Sequence, residues 1–254
     1  MGVLLAVVTV GYNRLLYFVE DLFDDMKFLP EYIKPAIGGI LLGVLGVLSL
    51  KVDGFPRVFG VGYDTITDVL FGNIALHFLL LLFVLKLLAT VFTLGSGNSG
   101  GVFAPSLFMG AMLGGAFGIL ANHFFPNITA PSGAYALVGM AAFFGGSARA
   151  PMTAILILFE MTGNYHIILP LMLTTVVSTI VSRIIDKESI YTLKLSRRGI
   201  HLEAGQDILF AVTYNAREQV AELWRSMDGG RGWTRGASIK TAWSVVTARR
   251  DPLL

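Results

Sequence analysis

The chain has 254 residues, is 54% hydrophobic with a mean hydropathy of +0.70, and carries only 14% charged residues, against about 25% in an ordinary soluble domain. That is the composition of a polytopic integral membrane protein, and it sets aside a soluble globular enzyme. The formal net charge of +2 is too small to argue for a nucleic-acid partner, and with no cysteine there is no disulfide framework, thiolate metal site or cysteine nucleophile.

Taken in order, the segments read as helices of uneven length, so the predicted fold class is all-α. Residues 2–24 are apolar and then amphipathic, ending in the acidic cluster Glu20, Asp21, Asp24 and Asp25. The opening residues lack the basic start and small-residue cleavage site of a signal peptide. Residues 36–50, with Gly38, Gly39, Gly43 and Gly46, predict a second helix able to pack closely, short for a span of about 20 residues. A polar re-entry over Lys51–Thr67 leads to a strongly apolar helix over 74–94. Residues 103–121 predict a helix marked by Gly110, Gly114, Gly115 and Gly118. The apolar run 134–161 is cut by Gly145-Gly146-Ser147-Ala148-Arg149-Ala150-Pro151. Residues 165–185 predict a last helix, broken or kinked at Pro170. No strand-like alternation persists as a transmembrane barrel requires.

Between the third and fourth long segments lies Gly95-Ser96-Gly97-Asn98-Ser99-Gly100-Gly101-Val102-Phe103-Ala104-Pro105. Irregular backbone at membrane depth is tolerated only where protein buries it or where it lines a cavity. Free amides that open a helix attract an anion. The same glycines spell G-x-G-x-x-G, but a dinucleotide site needs a preceding strand and an acidic residue about 20 positions on, and no Asp or Glu occurs between Asp68 and Glu160. No lysine follows the glycines as in a phosphate loop, while a plain connecting turn also suits glycine content alone.

Other polar residues receive structural readings. Glu160 is taken as a helix-end or interface residue bonded to Thr162, Asn164 or backbone rather than a proton carrier, although an intramembrane carboxylate is a functional candidate. Lys86 is taken as paired or snorkelling rather than as a source of positive potential. Arg149 is expected to hold the break before Pro151 by bonding loop carbonyls. His77, His123 and His166 show no ligand spacing, so no metal site and no cofactor are assigned. Asn127-Ile128-Thr129 is a glycosylation pattern that matters only if its loop faces a eukaryotic lumen.

Together with Gly146-Ser147-Ala148-Arg149-Ala150-Pro151-Met152-Thr153, Leu158-Phe159-Glu160-Met161-Thr162-Gly163-Asn164-Tyr165 and Ile190-Tyr191, the glycine break resembles the C-terminal half of a CLC chloride channel or chloride/proton antiporter. The resemblance runs over residues 1–205 and is most specific at Gly101-Val102-Phe103-Ala104-Pro105, which matches a G-x-F-x-P anion motif. It implies a voltage-gated-type chloride transport protein in the lipid bilayer, one half of an inverted repeat, working as a homodimer in complete form with chloride as the transported ligand. It also implies that Gly101, Val102, Phe103, Ala104, Pro105 and Tyr191 form the anion-binding set, the amides of Val102 and Phe103 and the hydroxyl of Tyr191 contacting the ion. On the residues alone, a tyrosine after a helix is also an ordinary interfacial anchor.

The serine loop and glutamate-bearing gate loop of that family have no match here, so an N-terminal half is expected from a longer product or a partner chain. Two other functions stay open: a non-transporting accessory subunit, and an intramembrane enzyme using Glu160 with a histidine. Residues 206–254 read as a polar tail, native or altered, too short for a pair of CBS domains. Asn215–Met227 suits an amphipathic helix and residues 228–236 a flexible basic segment. Seven of the 19 Lys and Arg residues precede position 150 and twelve lie from Arg183 onward, which predicts a cytoplasmic C-terminus.

Overall fold

The computed structural model describes residues 1–26, 30, 32–55, 57–163, 165–186, 188–192, 209–215, 220–226 and 234–240. The chain divides into two compact units, Met1–Arg198 and Gly199–Leu254. The first is all-α: α1 (Gly2–Asp25), α2 (Lys34–Asp53), α3 (Tyr63–Leu70), α4 (Leu76–Gly95), α5 (Phe103–Phe124), α6 (Ser132–Ala148), α7 (Pro151–Thr162) and, after a 3-10 turn over Tyr165–Ile167, α8 (Ile168–Ile185). Five helical segments among the described residues are long and apolar enough to cross a membrane: Gly2–Asp25, Lys34–Lys51, Leu76–Gly95, Phe103–Phe124 and Tyr165–Ile185.

Local chemistry sets most boundaries. Pro35 opens α2 and Pro151 opens α7, positions where the missing amide has no helical partner to lose. Both helices end on a left-handed glycine, Gly54 (φ 73°) and Gly163 (φ 60°), whose amides bond the carbonyls of Leu50 and Phe159 at 2.8 Å. The cut expected in the run 134–161 falls at Arg149, which caps α6 at φ 56° and is the one non-glycine residue at positive φ among those described.

Three expectations for the first unit need correction. The second helix is 20 residues long, not short, because Pro35 and the turn at Gly54 extend it beyond its apolar centre. The polar re-entry contains α3, whose buried Thr65, Ile66 and Val69 form too brief a stripe to stand out. Pro170 is not in the middle of a helix over 165–185: that span divides into the 3-10 turn Tyr165–Ile167 and α8, and Pro170 lies in the first turn of α8, where amides lack helical acceptors anyway.

The core is built around α5 and α6, which approach until backbone meets backbone. A Cβ added to Gly110 would stand 2.5 Å from the Gly139 carbonyl oxygen and 2.7 Å from the Met140 Cα. Leu107, Phe108, Ala111 and Met112 of α5 and Ala136, Met140 and Ala141 of α6 are buried in the same cluster. Helix α8 is stapled onto α6 by hydroxyls: Ser178 Oγ donates to the Ala142 carbonyl at 2.8 Å and Ser182 Oγ to the Gly146 carbonyl at 2.9 Å.

The second unit is a three-stranded antiparallel sheet of order β1-β2-β3: β1 (Leu209–Asn215), β2 (Val220–Ser226) and β3 (Thr234–Lys240). Val212 pairs with Leu223 and Leu223 with Ala237, and the register shifts between Leu223 and Trp224. Of the amphipathic helix expected over Asn215–Met227, Asn215 ends β1 and Val220–Ser226 form β2, with flanking strands as the ladder partners, while 216–219 lie outside the described residues. Thr234–Gly236 of the basic run belong to β3, while 227–233 and 193–205 lie outside the described residues.

Gly110→Ala, which drives a methyl into α6, is expected to destabilise the protein by about 1–3 kcal/mol. Gly43→Ala, where nothing lies within 4 Å of the new Cβ, should leave stability unchanged or slightly raised. Thermal unfolding in detergent compares them, and equal losses would exclude the close α5–α6 approach.

Candidate functional site

The glycine break is a shaped turn. Gly95 ends α4, and the amides of Ser96, Gly97 and Asn98 bond back to Phe92, Leu94 and Thr93 at 3.1–3.2 Å. Gly97 takes φ 85°, a conformation that favours glycine. Asn98 Nδ2 donates to the Pro35 carbonyl at 3.0 Å and to Ser96 Oγ at 3.1 Å, tying the turn to the start of α2. Gly38 lies against Ser96 so closely that its Cβ would overlap the hydroxyl. Residues 99–101 then run without regular structure into α5.

Helix α5 begins with Phe103, and its preceding residue, Val102, caps it with no side-chain hydrogen bond. The first helical acceptor, the Val102 carbonyl, is taken by the Ser106 amide at 3.1 Å and by Ser106 Oγ at 2.6 Å. Pro105 has no amide, so Phe103 and Ala104 carry the remaining donors of the first helical turn. Phe103 stacks edge-on with Phe144 of α6, centroids 4.8 Å apart.

The six sequence-predicted residues do not form a single patch. Val102 and Tyr191 line one cavity of about 540 Å³, together with Tyr17, Glu20 and Asp24 of α1 and Lys34 of α2. Gly101 and Pro105 line a second cavity of about 310 Å³, with Val58, Gly60 and Lys86. Ser99 and Gly100 border both, so this loop is a thin wall between two spaces.

Each cavity contains groups whose place sequence reasoning missed. Glu20 and Asp24 are visible as an acidic helix end, but nothing local shows that they face the same space as Val102. Lys34 Nζ donates to the Asp24 carbonyl at 3.4 Å. In the second cavity Lys86 is buried, donates to the carbonyls of Val58 at 2.8 Å and Gly60 at 2.6 Å, and sits 5.0 Å from the centroid of Phe108. This is the paired lysine that was expected. Glu160 is exposed in the last turn of α7.

Tyr191 is 52% exposed and belongs to the segment 188–192 that follows α8. Ser189 and Thr192 cap one another there: the Ser189 amide donates to Thr192 Oγ1 at 2.8 Å and the Thr192 amide to Ser189 Oγ at 3.1 Å. Ile190 is buried; its amide donates to the Ser147 carbonyl at 3.0 Å and its carbonyl accepts from the Tyr17 hydroxyl. Arg149 donates to the carbonyls of Asp186 and Glu188, the loop-holding role its sequence position suggested. Asp186 accepts from Arg14 at 3.0 Å and from the Glu188 amide at 3.1 Å. Burial alone would raise the Asp186 carboxyl, but the Glu188 amide with Arg14 and Arg149 outweighs it and holds the group below the ordinary carboxylate range.

Comparison with known proteins places this geometry in context. The model of the voltage gated chloride channel family matches residues 1–183. The chain is 38% identical over 197 residues to the H(+)/Cl(-) exchange transporter ClcA of Vibrio campbellii, covering 78% of this chain and 42% of that protein. It is 35% identical over 197 residues to ClcA of Yersinia pestis, covering 78% and 41%. Among solved structures it is similar to a slow cyanobacterial Cl-/H+ antiporter (TM-score 0.68, 34% identity, 78% of this chain and 45% of that one). A eukaryotic CLC transporter follows at TM-score 0.64 and 26% identity, with 86% and 37% covered. The chain therefore spans about two fifths of the length of the curated relatives it matches. These relatives are named as transporters, not enzymes.

Because the Asp186 carboxyl is depressed in the folded state, the Arg14–Asp186 pair stabilises fully above the ordinary aspartate value of about 4 and loses that contribution as pH falls through the lowered value. Asp186→Asn should lower the melting temperature at pH 7, and the two proteins should converge in acid. A constant difference across the acid range would remove the pair as the cause.

Proposed function

The chain belongs to the voltage gated chloride channel family, and from that premise we propose that it contributes the C-terminal part of a transmembrane chloride transport protein. The observation that carries this reading is the shared cavity: Val102, at the open end of α5, and Tyr191, 89 positions on, line the same space. In this reading the amides of Val102 and Phe103 and the hydroxyl of Tyr191 bind the anion, with Gly101 and Pro105 shaping the approach and the first turn.

Partial charges suit this task better than a full one. Chloride entering the membrane gives up hydration, and a bare ammonium beside it would hold it too tightly for turnover, whereas helix-end amides and a phenol replace water without trapping the ion. Buried Lys86 of the neighbouring cavity has its hydrogens directed at the Val58 and Gly60 carbonyls, which moderates its pull. Glu20 and Asp24 also line this cavity, with Lys34 beside them, and their negative charge opposes anion accumulation and favours release.

The same proposal assigns residues 1–205 to a transmembrane domain that is one half of an inverted repeat, residues 206–254 to a cytoplasmic tail, and the complete assembly to a homodimer. The bias of Lys and Arg toward the C-terminal end supports that orientation.

Halide efflux from liposomes containing the protein that carries this sequence tests the function, and absence of flux would sink it. Tyr191→Phe removes one hydrogen bond to a charged ligand and is expected to weaken chloride binding about 10- to 100-fold, read by calorimetric titration. Unchanged affinity would take Tyr191 out of the site.

A further inference from the structure

We infer that Tyr17 of α1 is a positioning residue for Tyr191, acting through the backbone of Ile190; the inference rests on Tyr191 being an anion donor. With half its surface open, the Tyr191 side chain is not held in place by burial. Its direction follows from the peptide that precedes it, and that peptide is clamped on both sides.

The clamp uses two elements far away in sequence. The Ile190 amide donates to the Ser147 carbonyl at 3.0 Å, at the C-terminal end of α6. The Ile190 carbonyl accepts from the Tyr17 hydroxyl, 173 residues earlier. Ser147 is itself held by α1: its Oγ donates to Asn13 Oδ1 at 2.8 Å, and Asn13 Nδ2 reaches its carbonyl at 3.4 Å. Asn13 and Tyr17 are four positions apart, so they share one face of α1. That face therefore holds both polar groups of Ile190, one directly and one through Ser147.

Burial makes the clamp matter. Ile190 is 4% exposed and Tyr17 is 4% exposed, and they pack in one cluster with Tyr12 and Phe143. Loss of the Tyr17 hydroxyl deprives the carbonyl of a 4% exposed residue of that bond, and the segment turns to satisfy it. The next residue is Tyr191, and a donor displaced by an ångström serves its ligand poorly. Tyr17 also lines the cavity shared by Val102 and Tyr191, so direct contact with the anion is the competing role to be separated.

A double-mutant cycle separates them. Chloride titrations are made on the protein that carries this sequence, as wild type, Tyr17→Phe, Tyr191→Phe and the double variant, each with a thermal unfolding curve. Tyr17→Phe is expected to weaken chloride binding about two- to tenfold and to add nothing once Tyr191 is phenylalanine. Unchanged affinity in Tyr17→Phe, a shift in melting temperature alone, or the same loss in both backgrounds would overturn the positioning role. If Tyr191→Phe by itself leaves affinity intact, the donor assignment falls and the positioning role with it, a result distinct from the other three. Should Tyr17→Phe not purify folded, Asn13→Leu, which loosens the Ser147 side of the clamp, takes its place with the same expected outcomes.

Discussion

Backbone hydrogen bonding in a medium without water is the constraint from which the rest of this structure follows. A peptide group left unpaired in hydrocarbon costs several kcal/mol by the usual order-of-magnitude reckoning, roughly the net stability of a small domain. Helices answer it along their length but not at their ends, and this chain has helix ends between α4 and α5 and between α6 and α7. Each is surrounded by groups that compensate: Asn98 and Ser96 at the first, Arg149 and the Ser147–Asn13 pair at the second. The amides at the start of α5, with no side-chain cap, are what such an arrangement leaves available for a ligand.

Close approach is the second consequence. Helices in a bilayer gain little from hiding apolar surface from lipid, so association depends on packing and on hydrogen bonds between helices. The α5–α6 contact uses glycine on both sides, at Gly110 and Gly139. The α6–α8 contact uses hydroxyls, Ser178 and Ser182, on carbonyls of α6. The break residue Arg149 and the Tyr191 segment are anchored to this three-helix frame and to α1, so the orientation of a half-exposed phenol depends on groups that touch no ligand.

Charge is arranged with the same economy. The buried ammonium of Lys86 is received by two carbonyls and an aromatic face. The carboxylates of Glu20 and Asp24 lie across the thin glycine wall in the other cavity. The loop 99–101 thus has Lys86 on one side and Glu20, Asp24 and Lys34 on the other.

By itself the sequence determined the helices and their breaks, because glycine and proline act on their own φ and ψ and an apolar run of membrane length has few other uses. It did so less well where the signal was short or shared between states: α3 was hidden in a polar stretch, Pro170 resembled a kink, and β2 resembled a helix face. What only the tertiary structure decided is which groups meet. Val102 with Tyr191, Glu20 with the glycine turn, and Tyr17 with Ile190 are unions across dozens to well over a hundred residues, and no local pattern encodes them. They arise because each remote polar group has to find its partner inside the protein, and the packed helices settle which partner is within reach.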